Sequence, residues 1–93
     1  MQIGLMQIKL YAPYVHSLKD KRMIVKSLIT KIRNKFNVSV CEVSEQDTHQ
    51  TIIIAIAHVF ADGMIPDSVW DNILNFIEET TESEITDVIR ELR

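Results

Sequence analysis

At 93 residues and 10.7 kDa, with 46% hydrophobic and 25% charged residues, the chain has room for one modest core, which excludes a multidomain enzyme and a disordered chain. A single cysteine, Cys41, excludes an internal disulfide framework and a thiolate metal cage. The net charge of −3 hides a split: His16–Phe36 holds seven bases against Asp20 alone, and the other residues hold three bases against twelve acids.

The alternation of Met6, Ile8 and Leu10 against Gln7 and Lys9 predicts a strand over Gln2–Tyr11 with one buried face. Pro13 stops it, because proline cannot donate to a sheet ladder. Ser17-Leu18-Lys19-Asp20 has the spacing of a capping box and opens a helix. Val25, Leu28, Ile29, Ile32 and Phe36 then form one apolar stripe at helical spacing. Asn34 and Asn37 are candidate exit residues, since asparagine tolerates the left-handed conformation that ends helices.

Val38–Glu45 is rich in β-branched residues and reads as a second strand, and Gln46–Gln50 reads as a polar hairpin loop. Thr51–Phe60 is a third strand, apolar on both faces and therefore central in its sheet. Asp62-Gly63 breaks it. Pro66 with Asp67 or Ser68 starts a second helix, with Ser68 and Asp71 as a second capping-box pair. Val69, Trp70, Ile73, Leu74 and Ile77 form its buried stripe, with Trp70 a core residue. In the tail, Ile85, Val88, Ile89 and Leu92 fit helical spacing slightly better than strand alternation. Five preceding elements in the order β-α-β-β-α leave one sheet position open, however, and a charged edge strand over residues 84–92 fills it. The expected architecture is α+β: one ferredoxin-like βαββαβ domain over residues 1–93, a four-stranded antiparallel sheet with two helices on one face.

Function has to be read from a site, because this fold hosts many activities. An RNA-recognition motif needs aromatics on its central strands, and here Tyr11 and Phe60 stand only near the strand ends. Gly4 and Gly63 are the only glycines, so there is no phosphate-cradling loop. His16, His49 and His58 are scattered over loop, hairpin and strand, and His58 reads as a hydrogen-bonded structural histidine among core isoleucines. Cys41 lies inside a strand and reads as a half-buried packing residue. No catalytic residue, metal ligand or cofactor follows. The longest apolar run, Ile52–Ala57, falls short of the ~20 residues of a membrane helix, and Met1–Leu10 lacks the features of a signal peptide. A cytoplasmic protein with no membrane partner is the expectation.

The segment with chemistry is the first helix. On a wheel of about 100° per residue with Lys19 at 0°, Arg22, Lys26 and Arg33 fall at about 300°, 340° and 320°. They form one basic ridge beside the apolar stripe, and Lys31 and Lys35 lie on the opposite border. Such bases can simply snorkel over the edge of a buried stripe. The bias of seven bases to one acid also suits contact with phosphates, and Lys19, Lys21, Arg22, Lys26 and Arg33 are the candidate nucleic-acid contacts.

Ser17-Leu18-Lys19-Asp20-Lys21-Arg22, the block from Arg33 through Asn37 to Val43, and the downstream Gln46-Asp47 together resemble the YlxP-like bacterial family of unknown function. The resemblance implies the ferredoxin-like fold. Genes of that family typically neighbour those for transcription-elongation, translation-initiation and ribosome-maturation factors, which implies a role near RNA or the ribosome. It implies no catalytic residue. Two readings result: a non-catalytic RNA- or ribosome-associated accessory protein, or a small-ligand or self-association module using the uncovered sheet face. That face, with Ile3, Leu5 and one side of the third strand, also predicts a homo-oligomer, in the simplest case a dimer.

Overall fold

The computed structural model describes residues 1–44 and 50–93. Its elements run β1 (Gln2–Tyr11), α1 (Leu18–Lys35), β2 (Ser39–Ser44), β3 (Thr51–Phe60), α2 (Pro66–Thr80) and β4 (Glu84–Leu92). The four strands make one antiparallel sheet in the order β2-β3-β1-β4, the ferredoxin-like arrangement. The predicted end of the second strand at Glu45, the hairpin residues from Gln46 and the predicted loop histidine His49 lie outside the described residues.

Alternation decides which strand residues enter the core. In β1 and β3, Met6 faces Ile56, Ile8 faces Ile54 and Leu10 faces Ile52, and all six are buried. Val25, Leu28 and Ile32 of α1 and Trp70, Ile73 and Ile77 of α2 close over that face. The remaining stripe members, Ile29, Phe36, Val69 and Leu74, pack partly buried against the same cluster. Each fully buried aliphatic side chain contributes about 1.5–3 kcal/mol, so this one layer dominates stability.

The helix ends correct the sequence reading in two places. Ser17 caps α1 as expected, its Oγ accepting from the Asp20 amide at 3.1 Å. The exit is through Phe36, in extended conformation at φ −124° and ψ 143°, and Asn34 lies within the helix. The Phe36 ring packs edge-on against Phe76 of α2, with centroids 5.5 Å apart. In α2 the N-cap is Ile65, which makes no side-chain cap bond, and Pro66 occupies the first turn. Proline's fixed φ starts the helix two residues before Ser68, so Ser68 and Asp71 stand inside it and form no capping box.

The tail is the edge strand β4, paired with β1. Its register explains the misleading helical spacing. Asp87 pairs with Lys9 and Ile85 with Leu10, leaving Thr86 as an extra residue in a bulge. The bulge turns Ile85 and Val88 to the same, core-facing side although they are three residues apart. The Thr86 hydroxyl donates to the Lys9 carbonyl at 3.3 Å. A second bulge, at Val43, interrupts β2 in the same way.

Candidate nucleic-acid interface

The sheet carries α1 over β2 and α2 over β4. On the first side, the Lys21 ammonium lies 3.0 Å from Glu42 Oε2, and Arg33 Nη2 donates to the Val40 carbonyl at 2.9 Å. On the second side, Arg90 of β4 reaches Asp67 and Asp71 of α2 at 3.6 and 3.4 Å. One half of the domain is therefore basic and the other acidic.

Four of the five predicted contacts, Lys19, Arg22, Lys26 and Arg33, are exposed on α1. Arg22, Lys26 and Arg33 line one cleft of about 410 Å³ with Val25, Ile29, Thr30, Cys41 and Glu42. Its floor is the edge of the apolar stripe and its far wall is the edge strand β2. Among the described residues, Lys19, Arg22 and Lys26 have no carboxylate partner. Arg33 spends one of its donors on Val40 and so fixes the lower end of the cleft against the strand.

Lys21 does not belong to this surface. It is 1% exposed and ion-paired with Glu42, and a phosphate outside the protein cannot reach it. The signal was in the wheel: Lys21 falls at about 200°, inside the arc of Val25, Leu28 and Ile32 rather than beside it. Glu42 alternates with Val40 onto the same inward face, and Ile54 is its cross-strand partner. An inward lysine and an inward acid on neighbouring elements form a pair that neither stretch shows alone.

The other flank of α1 has different commitments. Lys31 borders a separate cleft of about 380 Å³ with Tyr14, Met23, Ile24 and Leu28. The Tyr14 hydroxyl there lies 2.8 Å from the Ser83 hydroxyl. The Lys35 ammonium sits 5.4 Å from the centre of the Phe76 ring, a cation–π contact.

The remaining candidates are also placed. Cys41 is exposed, because β2 is an edge strand and Cys41 turns away from the core, in contrast to the half-buried packing role expected. His58 is half-buried beside aromatic rings, its centroid 4.5 Å from Phe60 and 6.5 Å from Trp70. Its Nδ1 is buried and has no hydrogen-bond partner among the described residues, so the expected hydrogen-bonded histidine is not what the structure holds at that atom. No group of His, Cys, Asp and Glu with metal-binding geometry occurs among the described residues, and no described helix is long and apolar enough to cross a membrane.

Comparison with known proteins bears on the family and the fold. The family model DUF503, described as a protein of unknown function, matches residues 3–90. The uncharacterized protein YlxP of Bacillus subtilis (strain 168) is 39% identical over 70 residues, spanning 75% of this chain and 76% of that protein. Among solved structures, the de novo designed protein Foldit4 superposes with a TM-score of 0.52 at 16% identity, covering 97% of this chain and 94% of the design. At that identity the likeness is one of fold alone.

Proposed function

The chain belongs to the DUF503 family, for which no activity is described, and from that premise we propose that it is a non-catalytic accessory protein that binds RNA, free or in the ribosome, through the basic ridge of α1. The observation that carries this reading is the set of exposed bases on one helix face, three of them around a single cleft and most of them without a carboxylate partner among the described residues. Bases that merely solvate a surface are normally interspersed with acids, as Arg90 is with Asp67 and Asp71 on the other half of this molecule. The ridge from Arg22 to Arg33 is about 16 Å long, enough to follow a run of phosphates.

The cleft has apolar walls in Val25 and Ile29 but no aromatic side chain on which a base could stack. Contact is therefore with the backbone of RNA, and binding is nearly indifferent to sequence. The acidic half faces away and limits the number of productive orientations.

The flanks of α1 supply the test. Replacing Lys19, Arg22, Lys26 and Arg33 together by alanine should abolish binding to ribosomal RNA fragments in fluorescence anisotropy, whereas replacing Lys31 and Lys35 should reduce it only slightly. Equal losses from the two flanks would indicate a diffuse positive field. Unchanged binding after the fourfold replacement would reject the ridge.

A further inference from the structure

The helices cover one face of the sheet, and the other face is apolar at one end. Ile3, Val59 and Ile89 point out of it at 41%, 60% and 55% exposure, beside Leu5 and Ala57, with Glu91 at the β4 edge of the same row. The opposite end of the same face carries Lys9, Tyr11, Glu84 and Asp87. We propose that this face docks a second copy of the chain, sheet against sheet, about a two-fold axis parallel to the strands. Each β4 edge then lies over the β2 edge of the other copy.

Three observations select this occupant and this orientation. First, the outward face of β4 carries Glu84, Asp87 and Glu91, whereas β2 holds no base and turns Ser39 and Cys41 outward, and the bases of α1 lie on the far side of the sheet. A two-fold axis along the strands lays the acidic β4 of each copy over the uncharged outward face of β2 in the other. An axis across the strands would stack Glu84, Asp87 and Glu91 on themselves. Second, the strand-parallel axis keeps the apolar ends together. The crossed one lays each strand over its own copy in reverse, so that Ile3 of one copy meets Lys9 and Tyr11 of the other and Val59 meets Ile53 and Thr51. Third, both sheet edges are interrupted, β2 at Val43 and β4 at Thr86. Bulged edges resist strand addition, which leaves the face as the surface for association.

The area is adequate. Four strands about 4.8 Å apart, two of ten residues, one of nine and one of six, present roughly 570 Å² per copy, about 70% of the ~800 Å² that each partner contributes to a standard interface. The ridge of α1 lies on the far side of each sheet, so the dimer leaves both ridges open. The inference therefore stands or falls independently of RNA binding.

The experiment is sedimentation equilibrium from low to high micromolar protein, with thiol cross-linking. The mass should rise from 10.7 kDa to about twice that value and stop. Val59→Lys combined with Ile89→Lys should stay at 10.7 kDa with an unchanged circular-dichroism spectrum, because both side chains are exposed in the monomer. A wild-type mass of 10.7 kDa at every concentration would overturn the dimer, and a mass that keeps growing would replace it with edge-to-edge assembly. Orientation is read separately. Cys41 and Ile89 lie at the same height on opposite edges, in one row with Ala55 and Gln7. A short bismaleimide should therefore join Cys41 of one copy to the thiol introduced by Ile89→Cys in the other, and should leave wild type unlinked. Linkage of wild type through Cys41 alone, or a dimeric Ile89→Cys variant that does not link, would overturn the proposed axis.

Discussion

Lys21 and Glu42 act on stability in a way that depends on which of them is removed. Both are screened from water, with side-chain exposures of 1% and 16%, and they form a close ion pair at 3.0 Å. Lys21→Ala leaves Glu42 charged in a poorly solvated site and should cost about 3–5 kcal/mol in urea denaturation. Replacing both, as Lys21→Met with Glu42→Leu, should recover most of that loss, because an apolar pair of similar volume avoids desolvating two charges. A double variant no more stable than Lys21→Ala would mean that the pair holds the fold in some other way. Gly4 is a second residue whose role is set by its neighbours. A Cβ there would run into the Phe60 ring and lie 2.6 Å from Trp70 Cζ2. Gly4→Ala should therefore cost about 1–3 kcal/mol by overpacking, measured in the same denaturation. The helical wheel marks Lys21 as inward, but neither its pairing with Glu42 nor the close packing at Gly4 shows in local sequence. A lysine in a basic helix and a glycine in a strand acquire these roles only when β2 and α2 are in place.

At the scale of elements, the helix starts differ in a testable way. The Ser17 hydroxyl oxygen accepts from the Asp20 amide, and Ser17→Ala should cost about 0.5–2 kcal/mol while leaving RNA affinity unchanged. A variant with parental stability but lost affinity would give Ser17 a direct role in binding. Ile65 holds the equivalent place before α2 with no cap bond, at φ −98° and ψ 111°, and it is 68% exposed. An aspartate there can accept from the amides of the first turn and faces the positive end of the helix dipole. Ile65→Asp should therefore raise stability by about 1 kcal/mol in thermal or urea unfolding. These elements were legible in sequence wherever pattern is local: the Ser17 cap, the stripe of α1, and the double-sided apolar run of β3. The tail was not legible by pattern alone, because the bulge at Thr86 breaks the alternation that marks a strand. A bulge depends on the partner strand, and local spacing does not reveal it. Completion of the sheet supplied what the spacing of Ile85 and Val88 concealed.

At the scale of the whole molecule, sheet order converts a linear charge split into a spatial one. Crossover of α1 toward β2 and of α2 toward β4 puts bases and acids on opposite sides of the domain. The ridge was legible because a period of 3.6 residues needs no tertiary information to align Lys19, Arg22, Lys26 and Arg33. The cleft beside it was not, since β2 supplies its far wall, and Arg33's bond to Val40 exists only in the folded state. The outward face of β3 also needed the register, because its odd and even residues are both apolar and a slip of one residue would exchange them. The most direct test of phosphate contact by the ridge is the salt dependence of RNA binding. With ~0.7 counterion released per phosphate on a single strand, four contacts predict a slope of log affinity against log salt near −3, and each single charge removal should reduce it by about 0.7 unit across unrelated RNA sequences. A slope near zero, or a slope unmoved when all four bases are replaced, would contradict the account.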